Sequence, residues 1–375
     1  MKYYIIAGEA SGDLHASNLI KELKALDSSS EFRCWGGDMM KKQGAVIVRH
    51  IRDLAFMGFL EVAVHLPEIL GNLKFCENDI LNYQPDVLIL VDYPGFNLRI
   101  AKFAAGKGIR VFYYISPQLW AWKQSRVKTI RSSVERMFVI LPFEQEFYRR
   151  HSVKADFPGH PLLDVIHEGM RLKERPVFLK DNLLHDKPII GLLPGSRKME
   201  IKSMLKVMLS VIPFFPDHQF VIAAAPSLNI EFYRSIIRNA PVGIVSGQTY
   251  DLLSNSAAAL VTSGTATLET ALMNVPQIVC YKGNPLSFAI AKRIVKVPFI
   301  SLVNLIAGSQ VVKELIQNEF NTNTLRDELQ SLLMPVNREK IIEGYRSVKE
   351  KLGGRGASGR AASAMVQYLK EKSVK

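Results

Sequence analysis

Residues 257–269 read Ala257-Ala258-Ala259-Leu260-Val261-Thr262-Ser263-Gly264-Thr265-Ala266-Thr267-Leu268-Glu269 and decide the fold class. The apolar run 257–261 predicts a buried strand, and the spacing from Ala266 onward predicts a helix. The turn between them consists of small residues, which leave backbone N–H groups uncovered at the positive end of the helix dipole. A strand, a tight turn and a helix in this order are typical of a parallel α/β sheet.

Two interpretations of this turn remain open. Uncovered N–H groups at the start of a helix bind phosphate, which makes Ser263, Gly264 and Thr265 candidate phosphate contacts. Glu269, one turn inside the helix, can accept hydrogen bonds from a ribose, so the two features together favour a nucleotide. The alternative is an ordinary capped helix with a glutamate that faces solvent.

The same alternation of apolar runs and helical segments continues on both sides of this stretch. Residues 158–161, Pro-Gly-His-Pro, and the charged stretch 168–187 separate two such blocks. We predict two α/β domains with parallel sheets, at residues 1–170 and 186–339, and we expect the helix within 340–375 to return to the first. The predicted strands are 3–7, 86–91, 110–115, 137–141, 188–193, 219–224, 243–246, 257–261 and 277–281.

Composition limits the class of protein. The 375 residues are 48% hydrophobic, which is enough for two domains with buried cores. The three cysteines, at positions 34, 76 and 280, form neither a disulfide framework nor a zinc motif, which favours a reducing cytoplasm. The first residues lack the pattern of a signal peptide, and no apolar run approaches the ~18 residues of a membrane span, so we expect a soluble chain.

The net charge of +13 predicts an anionic partner. Nucleic acid is not expected, because the basic residues are dispersed and no nucleic-acid-binding motif is present. An anionic membrane surface is better supported, since residues 54–70 hold more large apolar side chains than one core stripe requires; an ordinary buried helix is the alternative. The candidate membrane and lipid contacts here are Phe56, Met57 and Phe59, with Arg126 among the basic residues further along.

Ligands of parallel sheets bind beyond the carboxyl ends of the strands, where the first predicted domain carries acidic residues. Glu9 lies in the turn 8–13, whose glycines lack the dinucleotide-binding spacing, which argues against an NAD-dependent enzyme. Asp92 follows an apolar strand and suits a general base, whereas an aspartate that stabilises the turn before Pro94 is the alternative. We expect Asp13 to support the start of its helix and Glu9 to contact substrate.

Another strand end of the first domain carries two indoles. Ser116, Trp120 and Trp122 follow the predicted strand 110–115. Tryptophans beside polar groups pack against sugar faces or acyl chains, so these residues are candidate acceptor or lipid contacts. Packing in the core is the alternative.

In the second domain, the segment Leu193-Pro194-Gly195-Ser196-Arg197 follows a predicted strand. Arg197 can bind a diphosphate through two parallel hydrogen bonds, and Ser196 lies where the backbone can approach the same anion. A surface arginine after a tight turn is the alternative. Because this turn and residues 262–269 follow strands of one predicted sheet, both phosphate-compatible loops are expected at the same rim.

Seven segments of the chain carry a family pattern, in the order 7–13, 57–62, 92–97, 116–122, 141–144, 193–197 and 263–269. The most discriminating elements are Gly8-Glu9-x-Ser11-Gly12-Asp13 and Ser116-Pro117-x-x-Trp120-Ala121-Trp122. Together these segments resemble the lipid-A-disaccharide synthases. The resemblance covers nearly the whole chain and extends into residues 291–293 and 301–308.

This resemblance implies a two-domain glycosyltransferase fold of the GT-B type with the active site in the cleft between the domains. It implies that UDP-2,3-diacylglucosamine donates its sugar, with inversion, to 2,3-diacylglucosamine 1-phosphate, which gives a β-1',6-linked disaccharide and UDP. Asp92 matches the family's essential aspartate and is expected to remove the proton of the acceptor 6-hydroxyl. Glu9 is expected to orient the acceptor or to assist the base.

The resemblance also implies how the donor is held. Arg197 and residues 263–265 are expected to bind the diphosphate, and Glu269 the ribose. Asn304 matches an asparagine in the family's Asn-Leu-x-Ala-Gly segment and is expected to reach the sugar or phosphate. The chain contains no Asp-x-Asp motif, so we expect neither a divalent ion nor another cofactor.

Both implied substrates carry phosphate and acyl chains, so we expect peripheral binding to the inner face of the cytoplasmic membrane. One alternative is another UDP-GlcNAc-using enzyme of the same fold, either the peptidoglycan-precursor glucosaminyltransferase or a hydrolysing 2-epimerase. A second is a non-catalytic protein that binds UDP-sugars or lipids. The glycine-rich segment 353–356 allows C-terminal helices to exchange between protomers, so a homodimer through this segment is a further hypothesis.

Overall fold

The computed structural model describes residues 1–54, 66–122, 124–167, 169–226, 228–284, 288 and 297–373. The chain folds as two compact units, one formed by Met1–Asp164 with Leu352–Lys375 and the other by Val165–Lys351. Each unit contains a parallel sheet covered by helices, which confirms the predicted fold class. Within the described ranges, none of the helices combines the length and the apolar character needed to cross a bilayer.

The first unit contains a seven-stranded sheet in which neighbouring strands run parallel. Its strands are β1 (Lys2–Ala7), β2 (Glu31–Gly36), β3 (Val46–His50), β4 (Val87–Val91), β5 (Val111–Tyr114), β6 (Arg136–Phe138) and β7 (Ala155–Asp156). They lie in the order β3-β2-β1-β4-β5-β6-β7. All five residues of β4 are buried, because helices cover both faces of a parallel sheet.

Helices pack on both faces of this sheet. Leu19 and Leu23 of the first helix cover one face, and Ile80 and Ile100 of two later helices cover the other. The helices before the second unit are α1 (Ala10–Leu26), α2 (Asp38–Lys42), α3 (Leu66–Tyr83), α4 (Pro94–Gly106), α5 (Leu119–Trp122), α6 (Val127–Ser133), α7 (Pro142–Arg150) and α8 (Leu162–Val165).

The second unit contains a six-stranded parallel sheet. Its strands are β8 (Ile189–Leu193), β9 (Gln219–Ala224), β10 (Val242–Ser246), β11 (Ser256–Thr262), β12 (Gln277–Tyr281) and β13 (Lys313–Ile316), in the order β10-β9-β8-β11-β12-β13. Its helices are α9 (Arg175–Asp181), α10 (Lys198–Met208), α11 (Ile230–Ile237), α12 (Thr249–Ser254), α13 (Thr265–Leu272), α14 (Leu302–Ala307), α15 (Thr322–Leu332) and α16 (Pro335–Lys351).

The last helix, α17 (Ala357–Ser373), belongs to the first unit, where Met365 packs in the same core as α1. The expected boundary at residue 340 is wrong, because α16 belongs to the second unit. Tyr345 of α16 is buried there, its Oη donates to the carbonyl of Val275 at 3.1 Å, and it accepts from Gln277 Nε2 at 3.2 Å. The first boundary also lies earlier than residue 170, after Asp164.

Candidate functional site

The backbone at the end of β4 is in an uncommon conformation. Asp92 and Tyr93 have φ of 45° and 50°, and Ile115, just after β5, has φ of 64°. Non-glycine residues in this left-handed region cost on the order of 1–3 kcal/mol each and persist only where neighbouring contacts hold them. The N–H of Asp92 lies 3.3 Å from the carbonyl oxygen of Tyr114 and 3.2 Å from that of Ile115, and it donates to both.

Side chains from β5 and α4 hold the Asp92 turn. Tyr113 Oη donates to the Asp92 carbonyl at 2.6 Å, and Asn97 Nδ2 donates to the same oxygen at 2.7 Å. The ring of Tyr93 packs against Gly8, where a Cβ would lie 2.4 Å from Tyr93 Cγ. The glycine at position 8 is therefore required by the close approach of this ring.

The pKa of the Asp92 carboxyl group lies near neutral pH. Burial, followed by the negative charges of Glu9 and Glu144, raises the pKa of Asp92 to about 7, although the N–H of Tyr93 opposes the shift. A general base is most effective when its pKa lies near the working pH. The general-base role of Asp92 stays a prediction, and this pKa is the property such a role requires.

Glu9 lies at the same edge of the sheet. It occupies the position before α1 with an extended backbone, and its side chain makes no capping hydrogen bond. Its charge contributes, after burial, to the raised pKa of both Asp92 and Tyr93. The structure therefore brings together the two acidic residues that the sequence predicts as catalytic.

Ser116 and Trp120 do not present their polar atoms to a ligand, which corrects their predicted role as acceptor contacts. Both are buried, and Ser116 Oγ and Trp120 Nε1 donate to the same oxygen, Oε1 of Glu144, at 2.6 and 3.0 Å. The Trp120 ring packs edge-on against Phe143. Their partner Glu144 is the third residue of α7, which follows the next strand, so this pairing depends on how the two loops pack together.

The other predicted lipid contacts are only partly described. Phe56, Met57 and Phe59 lie outside the described residues, as does the side chain of Trp122, the last residue of α5. Arg126 is half-buried, and its positive charge opposes the burial that raises the pKa of Tyr113. Arg126 therefore lies near the tyrosine that holds the Asp92 turn.

Asp13 caps a different helix from the one expected. Its carboxylate accepts the N–H groups of Gly37 at 2.7 Å and of Met39 and Met40 at 3.1 Å, at the start of α2. It is buried within α1 and does not support the start of its own helix. The prediction for Asp13 was wrong, because its partners lie more than twenty residues away.

The turn between β11 and α13 forms as predicted. Gly264 precedes the helix with φ of 146°, and both Gly264 and Thr265 are exposed. Among the described residues, no acceptor binds the N–H groups of Gly264, Thr265 or Ala266. These N–H groups at the positive end of a helix make the turn an anion-binding candidate.

Ser263 supports this turn. Its Oγ donates to the carbonyl of Ile300 at 2.8 Å, and its N–H donates to the carbonyl of Cys280 at 3.3 Å. Both donors of Ser263 are therefore in use within the protein. This corrects its predicted role as a hydrogen-bond donor to the diphosphate.

Glu269 keeps one carboxylate oxygen available. Tyr250 Oη donates to Oε1 of Glu269 at 2.8 Å, and no described residue binds Oε2. Burial raises the pKa of Glu269, and the hydrogen bond from Tyr250 opposes that shift. The half-buried carboxylate is thus held in one orientation, with an oxygen free for a hydroxyl group such as that of a ribose.

Glu200, the third residue of α10, lies beside the turn after β8. Burial raises the pKa of Glu200, and the charge of Arg197 and the N–H groups of Ser196 and Arg197 oppose that shift, so the predicted anion contacts of Ser196 and Arg197 stay a prediction. A Cβ on Gly195 would lie 2.5 Å from Oε2 of Glu200, which explains the glycine. The exposed guanidinium of Arg197 forms no ion pair within the described part of the chain.

Asn304 is fully buried, and its amide is saturated with hydrogen bonds. Nδ2 donates to the carbonyl of Val312 and to Oε1 of Glu314, both at 2.9 Å. Oδ1 accepts the N–H groups of Val311 at 2.8 Å and Val312 at 3.0 Å. The expectation that this side chain reaches the donor is wrong, because it has no polar atom left for a ligand.

Sequence reasoning missed the supporting residues Glu144, Glu200, Tyr113 and Tyr250. The two glutamates carry a local signal, since each is the third residue of a helix, the position from which a carboxylate caps the helix start. The two tyrosines carry none, because their partners depend on which loops pack together.

The model of the lipid-A-disaccharide synthetase family matches residues 3–367. The chain belongs to the lipid-A-disaccharide synthetase family. The synthase of Syntrophus aciditrophicus (strain SB) is 40% identical over 375 residues, which cover 98% of this chain and 97% of that relative. The synthase of Geobacter sulfurreducens is 38% identical over 372 residues, 97% of this chain and 96% of that relative. The family resemblance inferred from the motifs is confirmed.

Solved structures with low sequence identity share the fold. A putative UDP-N-acetylglucosamine 2-epimerase from Listeria monocytogenes has a TM-score of 0.69 and 14% identity, over 99% of this chain and 97% of that one. The glycotransferase of kitacinnamycin has a TM-score of 0.66 and 14% identity, over 98% of this chain and 99% of that one. At this identity the likeness shows the architecture alone, so it does not favour an epimerase for this member of the lipid-A-disaccharide synthetase family.

Proposed function

We propose that this chain transfers 2,3-diacylglucosamine from its UDP donor to the 6-hydroxyl of 2,3-diacylglucosamine 1-phosphate, with inversion and release of UDP. The observation that carries the proposal is Asp92, whose pKa of about 7 suits a general base at the end of a buried strand. Membership of the family over residues 3–367 supports the choice of substrates.

In the proposed reaction, ionised Asp92 accepts the proton of the acceptor 6-hydroxyl while that oxygen attacks the anomeric carbon of the donor sugar. The bond from that carbon to the diphosphate oxygen breaks on the opposite face, so the configuration inverts and UDP leaves with the electron pair. Glu9 accepts a hydrogen bond from the acceptor, and its charge keeps the pKa of Asp92 raised.

The donor is held by the second unit in this proposal. Arg197 forms two parallel hydrogen bonds with the diphosphate, and the N–H groups of Gly264 and Thr265 donate to it at the start of α13. Glu269 accepts a ribose hydroxyl through the oxygen that Tyr250 leaves free. Because these donors are fixed before the reaction, they stabilise the charge that develops on departing UDP.

A direct assay tests the function. We would incubate the purified chain with both lipid substrates, with and without a chelator, and follow products by mass spectrometry. We expect one disaccharide 1-phosphate per UDP released. Release of a free sugar without acceptor would favour a hydrolysing epimerase, and binding without any turnover would favour a non-catalytic protein.

We also propose that the chain binds the anionic inner face of the cytoplasmic membrane peripherally. The net charge of +13 and the lipid nature of the substrates support this location. Flotation with anionic and with neutral vesicles measures it, and replacement of Phe56, Met57 and Phe59 with serine is expected to reduce both binding and turnover. Unchanged flotation and turnover in the triple variant would contradict the proposal.

A homodimer that exchanges C-terminal helices is the remaining proposal. Gly353 and Gly356, between α16 and α17, have φ of 78° and 88°, which glycine adopts readily. Light scattering on the eluted protein is expected to give twice the chain mass of 42.1 kDa. A mass of one chain at all concentrations would contradict it.

A further inference from the structure

We infer that Glu144 is a positioning residue for the transfer reaction and acts on Asp92 through the loop that follows β5. The inference rests on the role proposed for Asp92 and extends the site to the end of the neighbouring strand β6. Glu144 is the third residue of α7, and only 1% of it is exposed. A carboxylate buried this deeply requires a full set of donors.

The two oxygens of Glu144 accept four hydrogen bonds. Oε2 accepts the N–H groups of Leu141 at 2.9 Å and Ile140 at 3.2 Å, which cap the start of α7. Oε1 accepts Ser116 Oγ at 2.6 Å and Trp120 Nε1 at 3.0 Å. A cap needs only the first pair, so the second pair serves to fix the loop after β5.

That loop carries the acceptors of the Asp92 N–H. Ser116 directly follows Ile115, whose backbone is left-handed. The carbonyl groups of Ile115 and Tyr114 both accept the N–H of Asp92. The N–H of Ile115 in turn donates to the carbonyl of Phe138 at 3.0 Å. A path of direct contacts therefore joins Glu144 to the strained turn of the base. Since a shift of about 1 Å in a reacting group costs on the order of 100-fold in rate, release of this loop affects turnover.

Glu144 also acts on Asp92 through its charge. Its negative charge contributes, after burial and Glu9, to the raised pKa of Asp92. Burial also raises the pKa of Glu144 itself to about 7, so the two carboxyl groups titrate in the same range and the charge of Glu144 acts mainly above that pH. Because the base must be ionised, removal of that charge moves the acid limb of the rate profile to lower pH. Around these two carboxylates, burial and the charge of Asp92 raise the pKa of Tyr113, and burial and the charge of Glu144 raise that of Tyr148. Tyr113 also interacts with Tyr148 and with the positive charge of Arg126, and Tyr93 interacts with Glu9.

The test compares Glu144→Gln with Glu146→Gln. The glutamine keeps the shape of Glu144, but its amide nitrogen cannot accept the donors that meet there. Glu146 is an exposed glutamate on the same helix, paired with Arg149 and Arg150, and serves as the matched control. We expect Glu144→Gln to lower kcat about 10-fold to 100-fold, to leave both KM values within about 2-fold, and to move the acid limb to lower pH. Glu146→Gln is expected to match the wild type in all three.

A second variant keeps the inference testable where Glu144→Gln does not fold. Trp120→Phe retains the ring contact with Phe143 and removes one of the four donors to Glu144, so we expect a folded variant with a lowered melting temperature and with kcat about 10-fold below the wild type. Wild-type kcat and an unshifted acid limb in folded Glu144→Gln, or wild-type kcat in Trp120→Phe, would overturn the inference. If Asp92→Asn itself keeps wild-type kcat, the role proposed for Asp92 fails first.

Discussion

Asp92, Tyr93 and Ile115 adopt left-handed backbone conformations at adjoining strand ends, although none of them is glycine. Hydrogen bonds from Tyr113 and Asn97 to the Asp92 carbonyl hold the strained turn in place. A strained backbone that several contacts hold in place is common where a reacting group must be positioned before the reaction. At the scale of single residues, these contacts fix the backbone of Asp92, as the general-base role that we propose for it requires.

Asp92→Asn removes the proposed base and keeps the size of the side chain. We expect kcat for disaccharide formation to fall about 100-fold to 10,000-fold, while the dissociation constant for UDP stays within about 2-fold. Steady-state kinetics and titration calorimetry measure the two quantities. Turnover at the wild-type rate would show that Asp92 is not the base.

The pH dependence of turnover follows from the raised pKa of Asp92. Because the base acts in its ionised form, kcat/KM is expected to rise with pH through about 7 in the wild type. Glu9→Gln removes a neighbouring negative charge, which lowers the pKa of Asp92 and moves the acid limb to lower pH. The exposed residue Glu31 provides a control as Glu31→Gln. An acid limb at the wild-type pH in Glu9→Gln would contradict the charge effect of Glu9 on Asp92.

In both units, a glutamate accepts hydrogen bonds from loops at the ends of neighbouring strands. In the second unit, Glu314 of β13 accepts the N–H groups of Ile300 at 2.9 Å and Ser301 at 3.0 Å, and Nδ2 of Asn304 at 2.9 Å. The carbonyl of Ile300 in turn accepts Ser263 Oγ. At the scale of elements, the candidate donor turn thus depends on a strand from a distant part of the chain.

Asn304→Ala distinguishes a supporting role from direct donor binding. The substitution leaves buried groups around Glu314 and Val312 without partners, so we expect the free energy of unfolding to fall by about 2–4 kcal/mol. Urea denaturation measures it, with Asn321→Ala as a control for an exposed helix cap. Unchanged stability with weakened UDP binding would instead favour the direct contact predicted from the sequence.

At the scale of the whole molecule, the chain leaves the first unit after Asp164 and re-enters it at Leu352, and hydrogen bonds join these two segments. Asp164 accepts the N–H groups of Gly356 at 2.6 Å and Ser358 at 2.8 Å at the start of α17. The N–H of His160 donates to the carbonyl of Leu352 at 2.9 Å. The C-terminal helix is therefore capped by a residue from the first part of the chain.

Two buried histidines lie in this region. Burial lowers the pKa of His15 to about 4, against the charge of Asp164, and burial together with His15 lowers the pKa of His160 to about 3. His160 Nδ1 accepts the N–H of Leu162, so the neutral ring carries its proton on Nε2, which no described residue accepts. Both rings are neutral in the folded state near pH 7.

Stability is expected to fall in acid because of these rings. Their pKa values are lower in the folded than in the unfolded state, so their contribution is complete above about pH 6.5 and is lost as pH falls towards 4. The shifts correspond to losses on the order of 3 kcal/mol for His15 and on the order of 5 kcal/mol for His160. Urea denaturation across this range measures the slope, and His15→Gln is expected to flatten it. The exposed His185→Gln serves as control, and an equal slope in both variants would contradict the assignment.

Hydrophobic patterns located most strands because a strand buried on both faces is a continuous apolar run, as in Val87–Val91. Strands β2, β3, β7 and β13 were missed. In β2, the charged residue Arg33 is compensated by two hydrogen bonds to Asp79, which lies 46 residues away. Strand β13 begins with Lys313 and Glu314, and β7 has only two residues. The local hydrophobic pattern of a sequence cannot indicate a strand whose charged residues are neutralised by a partner far away in the chain.

The sequence by itself determined the two parallel-sheet domains, the family, the strand-end positions of Glu9 and Asp92, and the position of Glu269 one turn inside a helix, because apolar runs and small-residue turns are local features. Only the tertiary structure decided which polar side chains remain available to a ligand. Trp120 and Ser263 bind partners 24 and 37 residues away in the chain. A hydrogen bond depends on how separate loops pack against each other, and that packing is set by the folded sheet.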